Sequence, residues 1–405
     1  MNGETIPLLI VDDDPVFAHF LRQLVLTVPA DATFVPRCVD SAEKAMTELG
    51  HDGYQVVLLD YHLPQADGLQ MLAHIQALPA ADQPAVIMLT GSGSESVAVE
   101  AMKRGAKDYL RKTDLDVPAL TRALHSALLQ KRLGDQVAAY NAQMRADLEM
   151  ARHLQQSLLP DHYPSFPPAA AAGDSALRFE HRFVPAAELA GDFFSVQQLS
   201  DTRAGVFICD VMGHGVRAAL VTAMMRALVD SEAARAAHPG EFLTGMNRRL
   251  CRLIQPVGEP MFVTAFYLVV DLVAGSLHYA AAGHPRPLHL QPAAGRVAPL
   301  PVAEVGSALG LVPEASYVTS VTPLTAGDVV LLFTDGLFEV VGGEAKEDYG
   351  KERLLAAARH NLQRTPGELC DALLADVRRH AGGAEFADDV CLLSLHVARL
   401  AGAPT

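Results

Sequence analysis

The sequence predicts two domains of different class joined by a helix. The first is an α/β domain doubly wound around a parallel sheet, and the second is an α+β domain built as an antiparallel β-sandwich flanked by helices. Three observations carry this reading. Residues 6–128 alternate short apolar runs with stretches of helical spacing, the rhythm of a parallel sheet whose crossovers are helices. Residues 176–398 string together strand-like runs broken by Gly and Pro, with helical spacing in a few longer stretches, as a sandwich with outer helices does. Between them, residues 130–159 hold no proline and a single glycine, Gly134.

In the first domain, residues 7–11, 54–60, 85–90 and 108–112 read as strands. The run Gln55-Val56-Val57-Leu58-Leu59 is almost continuously apolar, as a parallel strand covered on both faces should be. Helical spacing falls at 16–28, 41–50, 69–77, 94–105 and 117–129. A helical linker over 129–160 follows. There Val137, Tyr140, Met144, Ala151, Leu154 and Leu158 recur at three-four spacing, with Leu148 close to the seam. Asp147 falls where a seam residue would sit, so the repeat is imperfect. The pattern suits a short parallel coiled coil between two chains; the alternative, less favoured, is one helix packed on its own domain. Pro160, Pro164, Pro167, Pro168 and the alanines 169–172 end it and mark a connector. In the last domain, strands are expected at 178–183, 205–210, 264–271, 276–281, 328–334 and 390–397, and helices at 218–237, 239–254, 351–360 and 366–380.

Composition narrows the class. Half of the 405 residues are apolar and 20% are charged, which suits packed domains and excludes wholesale disorder. The longest apolar runs, such as 329–333, are strand-sized, far short of the roughly 20 residues that span a bilayer. The opening Met-Asn-Gly-Glu lacks the features of a secretory signal. Five scattered cysteines form no C-x-x-C pair, so reduced thiols in the cytoplasm are expected rather than a disulfide or zinc framework. A net charge of −15 argues against a nucleic-acid binder, which needs a basic face.

Carboxylates gather where the first domain's strands end. Asp12 and Asp13 follow one strand, Asp60 ends another, Thr90 a third and Lys112 the last. Ligands bind at the carboxyl edge of such sheets, so these residues can converge there. Three carboxylates in one pocket call for a divalent cation with oxygen ligands, most simply Mg²⁺. The cation would neutralise an incoming phosphoryl group and leave Asp60 as nucleophile. Val-Asp-Asp-Asp-Pro (11–15), Leu-Asp-Tyr-His-Leu-Pro-Gln-Ala-Asp-Gly (59–68), Leu-Thr-Gly (89–91) and Tyr-Leu-Arg-Lys (109–112) together resemble a response-regulator receiver domain. The resemblance implies a five-stranded, flavodoxin-like sheet with Asp60 as phosphoacceptor. It also implies Mg²⁺ held by Asp12, Asp13, Asp60 and the backbone carbonyl of His62, with Thr90 and Lys112 as the switch pair and Tyr109 as the switch aromatic. The implied phosphoryl donor is a sensor histidine kinase or a phosphotransfer protein.

The last domain repeats the logic. Ala-Gly-Asp-Phe-Phe (190–194), Cys-Asp-Val-Met-Gly-His-Gly-Val (209–216), Phe-Thr-Asp-Gly-Leu-Phe-Glu (333–339) and Ala-Asp-Asp-Val-Cys (387–391) set Asp192, Asp210, Asp335 and the pair Asp388–Asp389 beside glycines and strand ends. Hard carboxylate oxygens suit Mg²⁺ or Mn²⁺, and two such ions can activate a water toward phosphorus. These blocks are similar to the metal-dependent PPM/PP2C-type phosphatases, in the bacterial branch of SpoIIE and RsbU. Gln-Gln-Ser-Leu-Leu-Pro (155–160), Phe-Val-Thr-Ala-Phe-Tyr (262–267), Ala-Ala-Gly-His-Pro-Arg-Pro-Leu (281–288) and Leu-Thr-Ala-Gly-Asp (324–328) extend the match. The resemblance implies that Asp192, Asp210, the backbone carbonyl of Val211, Asp335 and Asp388 hold two Mn²⁺ or Mg²⁺ ions. Ala190, Ser195 and Cys391 depart from the family pattern without removing an implied ligand. His214 is open between general acid and turn-fixing residue, His284 reads as structural, and Asn247 is undecided.

Together the two resemblances imply a response regulator, homodimeric through the linker helix, whose Asp60 phosphorylation controls a protein serine/threonine phosphatase. Its implied substrate is the phosphorylated STAS-domain anti-anti-sigma factor of a partner-switching pathway. The competing reading is a catalytically silent adaptor, as in RssB, but such domains lose metal ligands and all four aspartates are present.

Overall fold

The computed structural model describes residues 5–401 apart from 30–32, 52, 65, 80–81, 92–94, 255–260, 343–346 and 385. Gln65, in the motif after Asp60, and Ser94, at the expected start of the fourth helix, lie outside the described residues. The chain divides between Arg145 and Ala146 into two compact units.

In the first unit, β1 (Thr5–Val11), β2 (Thr33–Val39), β3 (Val56–Asp60), β4 (Ala85–Thr90) and β5 (Asp108–Arg111) form one sheet in the order β2-β1-β3-β4-β5, every pair parallel. The doubly wound class is as expected. Helices α1 (Pro15–Leu26), α2 (Ala42–Leu49), α3 (Gly68–Gln76) and α4 (Glu95–Lys103) connect the strands. Their starts are chemically marked. Asp14, Ser41 and Asp67 cap the first three through side-chain oxygens, satisfying amides that a helix leaves unpaired. Leu8, Ile10, Leu58 and Ile87 pack in one buried cluster, while Leu9, Val57, Leu59 and Met88 pack in another. This is the two-residue period of strands covered on both faces. The sequence reading missed β2, which carries Pro36 and Arg37 and is mostly solvent-facing. An edge strand needs no continuous apolar run and tolerates proline.

Helix α5 (Val117–Gln156) runs for 40 residues. It passes through Gly134 without a break, and Gly134 itself faces open space. Val137, Tyr140, Met144 and Leu154 are solvent-exposed. Leu158 is a correction to the expected seam. It lies beyond the helix end, where it packs with Leu159 against the core of the second unit.

The second unit is a sandwich. Strands β6 (Leu177–Val184), β7 (Asp192–Ser200) and β8 (Arg203–Val211) precede α6 (Val216–Ser231) and α7 (Pro239–Ile254). There follow β9 (Val263–Asp271), β10 (Ser276–Ala282), β11 (Leu288–Gln291), β12 (Arg296–Pro299), β13 (Val305–Gly306), β14 (Ser320–Pro323) and β15 (Val329–Phe333). Helices α8 (Gly350–His360) and α9 (Pro366–His380) lead to the closing strand β16 (Val390–Val397). One sheet runs β13-β10-β9-β8-β7 with β14 beside β10, and the other runs β12-β11-β15-β16-β6. Side-chain alternation sorts the layers. Phe194, Val206, Ile208, Val330 and Leu332 fill the space between the sheets. Phe193, Phe207 and Cys209 face α6 and α7, and Leu331 and Phe333 face α8 and α9. The stretch expected as a plain connector is strapped down. Phe166 is fully buried between the sheets, and its backbone is bonded to Ser175 and Ala176.

The turn before β15 shows what Leu-Thr-Ala-Gly-Asp (324–328) does in the site-bearing half. Asp328 is buried and accepts bonds from the Thr325 backbone (3.0 Å) and hydroxyl (2.9 Å), and it pairs with His289 Nε2 (2.9 Å). Burial alone would raise the Asp328 pKa, but these bonds outweigh it and hold it below the ordinary carboxylate value. A depressed folded pKa stabilises the fold above the unfolded value, and that stability is lost as pH falls through the folded one. Asp328→Ala is therefore expected to cost about 3 kcal/mol at pH 7, with the difference from wild type shrinking below about pH 4. Urea unfolding at the two pH values measures this, and an equal cost at both would refute it.

Candidate functional site

The first acidic site lies at the carboxyl edge of the parallel sheet. Asp12 follows β1, Asp60 ends β3 and Thr90 ends β4, all three buried, while Asp13 is exposed. One oxygen from each of Asp12, Asp13 and Asp60 lies within 4.8 Å of the other two. Lys112, the first residue after β5, reaches Asp12 Oδ2 (2.7 Å) and Asp60 Oδ2 (2.8 Å), and its ammonium stands 4.5 Å from the Phe17 ring centroid. Burial pushes the Asp60 carboxyl up against the opposing pull of Lys112. Burial acts to lower the Lys112 pKa, but its bonds to the two carboxylates leave it raised. Three carboxylates and one ammonium leave a net negative pocket of hard oxygens, which fits Mg²⁺. Gly68 is required because a Cβ there would collide with the Asp60 carbonyl. His62 and Tyr109 are exposed.

The second site draws on both sheets of the sandwich. Asp192 opens β7, a strand that the sequence reading left unassigned, and it lies opposite Asp210 near the end of β8. Asp335 follows β15, and Asp388 and Asp389 precede β16. Burial and then the neighbouring Asp210 push Asp192 far up, against a bond donated by the Thr334 hydroxyl (2.7 Å). Burial, reinforced by Asp335, Asp388, Asp389 and Glu339, raises Asp210 to about 7. Asp335 is raised by burial and by Asp388. Among the described residues, no lysine or arginine is ion-paired with any of these five aspartates, although the Lys351 charge acts to lower Asp335. A group of carboxylates without a paired cation suits divalent cations. Its oxygens are more widely spread than those of the first site, the only group among the described residues with three ligand atoms within 4.8 Å.

Backbone approach shapes this centre. A Cβ on Gly191 would stand 2.8 Å from the Val211 carbonyl, and one on Gly336 would overlap the Asp389 carbonyl. Asp389, which the sequence reading left without a role of its own, accepts from the backbone N–H of Ala186 (2.8 Å) and of Gly191 (2.6 Å). Thr334, also missed, joins Asp192 to the Cys391 backbone. His284 is buried, bonded through Nδ1 to the Thr264 hydroxyl (2.8 Å), and pushed by burial to about 3, so it is neutral near pH 7 and unsuited to protonate a leaving group. Asn247 is fully buried and bonds the Gly310 N–H and the Val312 carbonyl, which holds that loop. His214 is exposed in the turn after Asp210.

The chain thus carries an α/β domain with an acidic pocket, followed by a sandwich with an aspartate centre. A family model described as "Response regulator receiver domain" matches residues 8–125, and one described as "Stage II sporulation protein E (SpoIIE)" matches 200–398. The chain belongs to the response-regulator receivers through its first domain and to the SpoIIE branch of PP2C-type phosphatase domains through its second. Among curated relatives, the phosphoserine phosphatase RsbU of Bacillus subtilis is 28% identical over 197 residues, 49% of this chain and 55% of that one. RsbP of the same organism is 26% identical over 196 residues, 48% of this chain and 46% of that one. The chemotaxis protein CheY of Listeria monocytogenes is 34% identical over 106 residues, 26% of this chain and 84% of that one. The chain thus spans about half the length of the phosphatases it matches. The SiaA-PP2C domain of Pseudomonas aeruginosa shares the sandwich fold, with a TM-score of 0.55 and 24% identity over 64% of this chain and 99% of that one. Among the described residues, no helix is long and apolar enough to cross a membrane.

Proposed function

We propose that this chain is a response regulator in which phosphorylation of Asp60 controls a metal-dependent protein serine/threonine phosphatase. The observation that carries the reading is the group Asp192, Asp210, Asp335 and Asp389, buried or half-buried at or beside the ends of β7, β8, β15 and β16, whose carboxyls are raised by burial and by neighbouring carboxylates. We assign residues 6–128 to the receiver, 129–160 to the linker and 176–398 to the phosphatase. Asp12, Asp13, Asp60 and the His62 carbonyl would hold Mg²⁺. Asp192, Asp210, the Val211 carbonyl, Asp335 and Asp388 would hold two Mn²⁺ or Mg²⁺ ions. Divalent cations at the second centre supply Lewis acidity, neutralising phosphoryl oxygens and making water nucleophilic near neutral pH. The chain's own residues do the rest. Thr334 and the Gly191 amide orient Asp192 and Asp389, and the glycine turns let backbone approach the substrate closely. In the receiver, Asp60 takes a phosphoryl group from a histidine kinase or phosphotransfer protein, and Lys112 and Thr90 bond the new oxygens.

The substrate we favour is phosphoserine or phosphothreonine on a STAS-domain anti-anti-sigma factor. The matches to RsbU and RsbP, each named a phosphoserine phosphatase, support the chemistry, and a neighbouring structure that joins RsbU and RsbW domains supports the partner-switching setting. The five unpaired cysteines suit the cytoplasm. Hydrolysis of a phosphoserine protein with Mn²⁺, with and without an acyl-phosphate donor, tests the whole reading. A folded chain with no turnover under either condition would leave the binding-only adaptor.

The exposed stripe of Val137, Tyr140 and Met144 supports dimerisation through α5. Val137→Glu with Tyr140→Glu is expected to weaken self-association at least tenfold in sedimentation equilibrium, because like charges would face one another across the seam. A wild-type chain that stays monomeric at high concentration would overturn the dimer.

A further inference from the structure

The last turn of α5 is fastened to the loop that enters the aspartate centre. The Gln155 side chain donates from Nε2 to the Ala190 carbonyl (2.6 Å) and accepts at Oε1 from the Ala190 backbone N–H (2.9 Å). Ala190 is buried, so one amide side chain satisfies both backbone polar groups of a residue that has little access to water. The neighbours of Ala190 lead straight to the site. On one side, the Leu189 carbonyl accepts from Gly215 (3.2 Å), in the turn after Asp210. On the other, Gly191 donates to Asp389 Oδ2 (2.6 Å), and its carbonyl accepts from the Val211 N–H (3.3 Å) and the Thr222 hydroxyl (3.1 Å). Asp192 comes next and opens β7. Half-buried Leu158 and Leu159 wedge the chain just past Gln155 into the sandwich.

We propose that Gln155 is a positioning residue for the aspartate centre, and that its amide is where the linker helix sets the placement of Asp192 and Asp389. The inference rests on the proposed reading of that centre as a metal site. A shift or rotation of the last turn of α5 must either carry the Ala190 peptide with it or leave its buried N–H and C=O unpaired, which is unfavourable. Carrying it moves Gly191, and with it the donor to Asp389 and the start of the strand that presents Asp192. No other part of α5 needs to touch the centre for the helix to influence it.

The test uses the full chain with Gln155→Glu and Gln155→Ala, titrated with Mn²⁺ by calorimetry and assayed with and without an acyl-phosphate donor. Glutamate has the shape of glutamine but lacks the Nε2 donor, and its ionised oxygen would face the Ala190 carbonyl. Both variants are expected to bind Mn²⁺ about 10- to 100-fold more weakly, as for lost outer supports of a metal site, and to lose the response to the donor. A role confined to packing predicts the opposite for Gln155→Glu, namely wild-type affinity and response. That outcome in folded protein would overturn the proposal even if Gln155→Ala fails to fold. Wild-type chain that binds Mn²⁺ but hydrolyses no phosphoserine would sink the phosphatase reading, while the Mn²⁺ titration would still decide the role of Gln155. Wild-type chain that binds no Mn²⁺ would sink both.

Discussion

Replacing Asp335 by alanine is expected to lower Mn²⁺-dependent hydrolysis of phosphoserine by about a thousandfold, equivalent to roughly 4 kcal/mol of transition-state stabilisation. Asp335 is half-buried just after β15 and is raised by burial and by Asp388. Its ionised form is thus disfavoured by burial and by Asp388, and a divalent cation would relieve that cost. Removing it deletes a proposed ligand and also part of the repulsion, so the fold should survive with its unfolding midpoint unchanged or slightly raised. Asp192 would be a poorer target, because it is fully enclosed and holds the Thr334 hydroxyl. Turnover within tenfold of wild type in folded Asp335→Ala would show that the aspartate centre does not carry the chemistry.

Asp60→Asn is expected to reduce acid-labile phosphate on the chain to background after treatment with an acyl-phosphate donor. It is also expected to bring the ratio of phosphatase rates with and without donor to about one. The amide cannot attack phosphorus, whereas the carboxylate sits against Lys112 at 2.8 Å, poised for a phosphoryl group that carries its own negative charge. Lys112 keeps Asp12 as a partner at 2.7 Å, and burial already opposes the ionised form of Asp60, so the variant should fold at least as well as wild type. Label remaining at wild-type level would place the phosphoacceptor elsewhere.

Much of both sites could be read from the chain because their residues sit at the ends of apolar runs. Asp60 after Leu58-Leu59 and Asp335 after Leu332-Phe333-Thr334 are visible without knowing which strands pair. The residues that escaped notice act through partners far away in sequence. Asp389 meets Gly191 across 198 positions and Gln155 meets Ala190 across 35, and nothing local marks either as a partner. Strand β7 escaped because Gln197, Gln198 and Ser200 break its alternation, although its first residues are buried on both faces. Strand β2 escaped because an edge strand is mostly solvent-facing and can hold a proline.

The sequence by itself determined the two fold classes, the long helix between them and the aspartates available to each site. These depend on periods of 2 and 3.6 residues and on what ends each run, which are local properties. Only the tertiary structure decided which carboxylates share a pocket, that Leu158 leaves the helical stripe for the sandwich core, and that an amide on the linker holds the loop before Asp192. Burial of an unpaired amide is costly wherever the chain brings it, and its partner is chosen by packing in three dimensions rather than by neighbours in sequence.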